Sequence, residues 1–191
     1  MKLLEQRILK DGKVGSGNVL KVDGFVNHQI DVALMCELGR EFKRLFEGTE
    51  VTKILTIEAS GIGIACITAQ YFNVPVVFAK KTKTNNIYAD VYKGKVESYT
   101  HGTTYEIVVS KQFLLPGDRV LIIDDFLAKG SALLGLLGLI KSAGAEAVGA
   151  GIVIEKAYQD GGKIVRDMGL RVESLARISA MSDEDGIIFI D

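Results

Sequence analysis

The sequence is poor in several things that would have pointed elsewhere. It has two histidines, and neither stands in a Ser–His or Cys–His arrangement, so a covalent mechanism through an activated protein nucleophile is not expected. His28, a single histidine with no partner in view, is read as structural. The two cysteines, Cys36 and Cys66, lie in apolar segments without paired spacing and are expected as buried thiols in a reducing cytosol. Two prolines against 48% apolar residues argue for a packed chain, not a disordered one. No uncharged apolar run reaches the roughly 18–20 residues of a membrane span, so no membrane partner is expected. Residues 1–10 mix acidic and basic side chains into an amphipathic pattern, unlike a signal peptide. The expected location is the cytoplasm. A net charge of −1 lacks the basic excess of nucleic-acid binders. There is no repeat, linker or low-complexity tract, and 191 residues are read as one domain with a substantial core.

What is present is organised around Val120 to Ala132. Four consecutive aliphatics (Val120, Leu121, Ile122, Ile123) alternate with neither a strand nor a helix period, as in a parallel-sheet strand buried on both faces. The run stops on Asp124 and Asp125. Small residues follow at Ala128, Gly130, Ser131 and Ala132, and then an apolar helix from Leu133 to Ile140. The first amides of a helix lack internal partners and the dipole favours an anion there. Carboxylates only accept hydrogen bonds, so a pair just ahead of that turn is placed to take two hydroxyls. Together they suit a sugar phosphate. The plain alternative is an acidic, solvated turn.

The remaining chain alternates strands and helices. Residues 1–10 put Leu3, Leu4 and Ile8 on one helical face. Asp31 caps a helix running to about Phe46 with Leu34, Met35, Leu38, Phe42 and Leu45 inward and Gly48 as its stop. Buried strands are predicted at Lys53–Glu58, Val74–Ala79 and Ala147–Lys156, with final strands at Arg171–Ile178 and Gly186–Ile190. The segment 82–104 is polar and long enough to need explaining; Lys95–Thr100 and Tyr105–Lys111 bracket it as a hairpin. The fold class is α/β, a central parallel sheet flanked by helices.

The Val120–Ala132 stretch resembles the PRPP-binding motif of type I phosphoribosyltransferases, and Asn18–Asp31 resembles the N-terminal hood of the bacterial xanthine-specific group. The likeness spans the chain. It implies a type I phosphoribosyltransferase fold over residues 1–191, with a small hood from about 1–30 and the C-terminal segment, and a flexible lid over about 82–104. It also implies a purine-salvage transferase making XMP and pyrophosphate from xanthine and PRPP, with Mg2+ accompanying PRPP and no protein residue assigned as its direct ligand. A homodimer is implied too. In that reading Asp124 and Asp125 are catalytic and address the ribose hydroxyls. Ala128, Lys129, Gly130, Ser131 and Ala132 hold the 5′-phosphate. Ala59, Ser60 and Gly61, with Lys80 and Lys81, hold pyrophosphate, a non-proline cis peptide being expected at Ala59–Ser60. Leu20, Asn27 and Lys156 meet xanthine, with Phe126 or Tyr158 stacking on the ring.

The sequence departs from the family at three positions. Lys129 and Ala132 stand where many members carry threonine, and Lys80 where arginine is common. The nearest rival function is the same transfer to hypoxanthine or guanine. A PRPP-sensing transcription regulator is the rival of another class, and it would need a DNA-reading element and a basic surface.

Overall fold

The computed structural model describes residues 1–15, 19–82, 90–98, 103–182 and 186–190. One eight-stranded sheet dominates, in the order β10-β9-β8-β7-β3-β4-β6-β5. Its members are β3 (Lys53–Ile57), β4 (Val76–Thr82), β5 (Val91–Ser98), β6 (Thr103–Ser110), β7 (Arg119–Leu127), β8 (Glu146–Lys156), β9 (Val172–Ser182) and β10 (Gly186–Ile190). Strands β4, β3, β7, β8 and β9 run parallel to their neighbours in that order, and both margins turn antiparallel.

The unbroken apolar run of β7 is explained by what lies on each side. Val120 and Ile122 join Leu55 and Ile57 beneath α4 (Ser131–Ala143), whose Leu133, Leu136, Leu139 and Ile140 are buried there. Leu121 and Ile123 face the opposite way, with Ile54, against α2 (Val32–Leu45) and α3 (Gly61–Phe72). A strand sandwiched between two apolar layers has no polar face to alternate with. Asp31 caps α2 as expected, its Oδ1 accepting the Leu34 N–H at 3.1 Å. Beyond the helix Gly48 takes a positive φ of 76°. Close packing of α2 on α3 requires Gly39, because a Cβ there would lie 3.0 Å from the Tyr71 ring.

The N-terminal segment covers one end of this sheet. Helix α1 (Lys2–Asp11) buries Leu4 and Ile8, while Leu3, expected inward, is 46% exposed. The seam is the i, i+4 pair alone, and Leu3 sits outside it. A two-stranded hairpin, β1 (Lys13–Gly15) with β2 (Val19–Lys21), leads into a π-helical turn at Asp23–Asn27. Leu20, Val22, Phe25 and Val26 share one cluster with Ile154, Leu175, Ile178 and Met181, so the N-terminal cover rests on β8 and β9.

One expectation is met in part and one needs correction. Residues Val91–Ser98, placed in the lid, pair along their whole length with β6 and form the sheet margin, where Gly94 and Val96 approach Gly135 of α4. The rest of that segment, 83–89 and 99–102, lies outside the described residues, as do 16–18 of the expected turn. Neither cysteine is a buried thiol: Cys36 is half-buried and Cys66 is exposed on α3. Among the described residues no helix is long and apolar enough to cross a membrane.

Candidate active site

Because β3, β4, β7 and β8 are parallel, their C-terminal ends meet at one edge of the sheet, where open α/β sheets collect ligands. That edge brings together residues separated by most of the chain: Glu58 to Gly61 after β3, Lys81 on β4, Asp124 and Asp125 on β7, and Glu155 and Lys156 closing β8.

Asp124 and Asp125 end the apolar stretch of β7 and are only 4% and 9% exposed. Asp124 Oδ1 accepts the Asp125 N–H at 3.0 Å, and Asp125 Oδ1 accepts that of Phe126 at 3.0 Å. Burial, then the neighbouring Asp125 charge, hold the Asp124 carboxyl well above the ordinary carboxylate range, partly countered by Lys81. The surroundings of Asp124 thus supply it with too little positive charge. Tyr105 on β6 stands in the same field, its hydroxyl pushed up by burial and by Asp124. Lys81 lies 5.3 Å from the centre of the Tyr105 ring.

Two helix N-termini flank the carboxylates. Gly130 sits ahead of α4 with φ of 84°, in a left-handed conformation that strains any side chain. Among the described residues no side-chain hydrogen bond caps α4, so its first amides suit an anion. Lys129 is exposed, while Ala128, Ser131 and Ala132 are half-buried around the turn. The second loop follows β3, and its non-proline cis peptide lies at Glu58–Ala59, one bond earlier than expected. Glu58 Oε1 accepts the Lys81 N–H at 2.5 Å, joining this loop to β4. Gly61 starts α3 where no larger residue fits: a Cβ would lie 2.2 Å from Thr56 Oγ1 and 3.0 Å from Asp124 Oδ1.

The expected lysine pair divides. Residues 80 and 81 alternate across β4, placing Lys81 with Tyr105 and Asp124. Lys80 instead lies beside Phe78, 5.9 Å from its ring, in an apolar groove of about 540 Å3 lined also by Val91, Val108 and Phe113. Lys156 is half-buried, which lowers its ammonium pKa. Leu20 is buried in the core by its side chain, so its backbone is the part left to meet a ligand. Asn27 Oδ1 is enclosed and has no hydrogen-bond partner among the described residues. Phe126 is half-buried against the N-terminal cover, and Tyr158 is 41% exposed beyond β8.

Sequence reasoning missed what stands behind the loop at Ala128–Ala132. Gly161 N donates to Ala128 O at 3.1 Å, and Glu155 is buried in a cluster with Arg166, Ser174 and Arg177. The Gly161-Gly162 pair was a visible signal of close backbone approach; Glu155, visible beside Lys156, gave no sign of its partners. Among the described residues no group of three or more His, Cys, Asp or Glu could ligate a metal unaided.

Fold and site together define an α/β domain with two helix N-termini on either side of paired carboxylates, an arrangement suited to a phosphorylated sugar. The description "Phosphoribosyl transferase domain" matches residues 35–167, and the chain belongs to that family. It is 63% identical over 188 residues to the xanthine phosphoribosyltransferase of Lachnoclostridium phytofermentans, covering 98% of this chain and 97% of that protein. It is 58% identical over 183 residues to the protein of the same name from Ruminiclostridium cellulolyticum, covering 96% of each. Among solved structures, adenine phosphoribosyltransferase of Rhodothermus marinus superposes with a TM-score of 0.75 at 22% identity, over 93% of this chain and 99% of that one; this likeness speaks for the fold.

Proposed function

We propose that the protein transfers a ribosyl 5-phosphate group from PRPP to xanthine, giving XMP and pyrophosphate. The observation that carries the transfer is the placing of Asp124 and Asp125 between two helix-capping loops. Near-full-length identity to proteins named for xanthine carries the base. The 5′-phosphate rests on the amides of Ala128 to Ala132. The ribose hydroxyls meet Asp124 and Asp125. Pyrophosphate lies at Ala59, Ser60 and Gly61 with Lys81, while Lys80 faces the other side of β4.

The C1′–oxygen bond to pyrophosphate breaks as the bond from C1′ to the base nitrogen forms, and the proton that nitrogen carried is released with the pyrophosphate. The ribosyl centre becomes cationic on the way, and the buried carboxylates stabilise it without forming a covalent intermediate. The Asp124 carboxyl, kept short of positive charge by burial and by Asp125, gains most from that cation at the transition state. The carboxylates also suit a hard cation that keeps its water shell and uses substrate oxygens, so Asp124 and Asp125 would hold Mg2+ through water. Magnesium, when bound with PRPP, supplies charge neutralisation to the departing pyrophosphate. Lys156 donates to the base 6-carbonyl, and the Asn27 amide meets the opposite edge with the Leu20 backbone. Gly61 and Lys81, close to Asp124, keep the leaving group next to the ribose.

The same reading places the enzyme in the cytoplasm as a homodimer. The apolar groove beside Phe78 and Phe113, both exposed at 38% and 55%, is a surface that a second copy would cover. Light scattering at micromolar concentration tests the assembly. The reaction is tested by PRPP-dependent pyrophosphate release with xanthine, hypoxanthine, guanine and adenine in turn. Xanthine is expected to give the highest kcat/KM. No release with any base would overturn the transfer itself.

A further inference from the structure

Glu155 is 2% exposed, a poor place for a carboxylate unless its charge is met. It is met with unusual completeness. Arg166 Nη1 and Nη2 donate to its two oxygens at 2.7 and 2.8 Å, Ser174 Oγ donates at 2.5 Å, and Arg177 Nε lies 3.5 Å away. Burial raises the Glu155 carboxyl, but the hydrogen bonds from Arg166 and Ser174 and the two arginine charges outweigh it, leaving the group below its ordinary range. Glu155 is therefore ionised, and none of these contacts reaches the reacting atoms.

What the pair does reach is α5 (Gly161–Asp167), which at seven residues is too short to hold itself. Arg166 lies in its last turn and anchors it to β8. Its first two residues have no spare room on either side. A Cβ on Gly162 would lie 2.2 Å from Glu155 Oε1 and 2.6 Å from Arg166 Nη1. A Cβ on Gly161 would lie 2.4 Å from both Ala128 O and Gly130 N. The contacts thus run without a gap from the ion pair, through the two glycines, to the underside of the loop at Ala128–Gly130. That loop needs backing. Gly130 is left-handed, no side chain caps the helix after it, and Lys129 and Ala132 bring no hydroxyls.

We propose that Glu155 and Arg166 are positioning residues for the 5′-phosphate: their ion pair seats Gly161 against the loop and so fixes the amides before the anion arrives. A preorganised loop binds without first being ordered. The inference rests on the reading that residues 128–132 hold the 5′-phosphate.

The test uses ribose 5-phosphate and pyrophosphate as separate probes of the whole protein, by titration calorimetry, beside steady-state kinetics. Arg166→Met and Gly162→Ala are expected to weaken ribose 5-phosphate at least fivefold and to raise KM for PRPP. Pyrophosphate affinity, and kcat at saturating PRPP, stay within twofold. Arg166→Lys keeps the charge but loses the fork, and is expected to recover part of the loss while remaining folded. If folded Arg166→Lys and Gly162→Ala bind ribose 5-phosphate as wild type does, or lose both probes equally, the pair is structural only and the proposal falls. Gly130→Val separates the two readings. Ribose 5-phosphate binding that survives it removes the phosphate loop and the clamp together; binding lost there but untouched by the clamp variants overturns the clamp alone.

Discussion

At Asp124 the protein holds a carboxyl where its own interior resists a charge, and this separates activity from stability. The folded-state pKa is raised by burial and Asp125, so Asp124 binds its proton more tightly folded than unfolded. Its contribution to stability is therefore fully present at pH below the unfolded value and is lost as pH rises through the folded one. Asp124→Asn removes that loss. The variant is expected to melt higher than wild type at pH 7 without divalent cations, the gap closing toward pH 3, while kcat falls by tenfold or more. Asp125→Asn should share the kcat loss. Thermal scans across pH with turnover assays check this, and near-wild-type turnover in both variants would undo the assignment at its centre. The neighbouring loop yields a second contrast. Ser131 offers one hydroxyl, so Ser131→Ala should weaken PRPP by about 1 kcal/mol, roughly fivefold. Gly130→Val meets both a positive φ and a Cβ only 3.2 Å from Gly161 Cα, and should weaken it far more. Equal PRPP affinities in the two variants would contradict a backbone-held phosphate.

Elements were legible where a physical signal was local. The apolar run of β7 announced burial on both faces, and Asp31 and Gly48 announced the ends of α2, because caps and sandwiched strands leave their mark within a few residues. The π-helical turn at Asp23–Asn27 left none, since its hydrogen bonds impose no apolar period on so short a segment. The edge strand Val91–Ser98 was read as lid because its outward side chains, Lys93, Lys95 and Glu97, are as polar as a loop's. Its second half was expected in a hairpin with Tyr105–Lys111; the pairing with β6 and the contact with α4 carry the strand back to Val91 and make it the sheet margin. The start of α3 was recognised as a glycine loop, but the reason for Gly61 is a contact with Thr56 and Asp124 that local sequence does not display. Gly61→Ala should therefore displace the first turn of α3 toward Ser60 and away from Asp124. In the reverse reaction KM for pyrophosphate is expected to rise at least fivefold, with KM for XMP changing less. A uniform change in both would mean that Gly61 serves packing alone.

The proposed base site belongs to the whole molecule, because no single element owns it. Lys156 ends β8, whereas Asn27 and Leu20 come from the cover, which is held down by Leu4, Ile8, Phe25 and Val26 packed with Leu175, Ile178 and Met181. Sequence could match the two ends to a family but could not show that the first and last thirds of the chain form one core. Xanthine, hypoxanthine and guanine share the 6-carbonyl that Lys156 is proposed to meet, so Lys156 supplies affinity without telling them apart. Discrimination must arise at C2, where xanthine alone has a carbonyl flanked by ring N–H groups. The Asn27 amide matches that edge: its N–H2 can donate to the carbonyl, and its enclosed, unpartnered Oδ1 can accept from an adjacent N–H. Hypoxanthine would leave the buried donor unmatched at a cost of about 1–3 kcal/mol, or roughly five- to 150-fold in kcat/KM. Asn27→Ala should lower kcat/KM for xanthine and shrink its lead over hypoxanthine, whereas Lys156→Ala should lower both about equally. The measurement is kcat/KM for the three bases across wild type and the two variants. A lead over hypoxanthine that survives Asn27→Ala intact would move the discriminating contact elsewhere in the cover and leave the transfer chemistry at Asp124 and Asp125 standing.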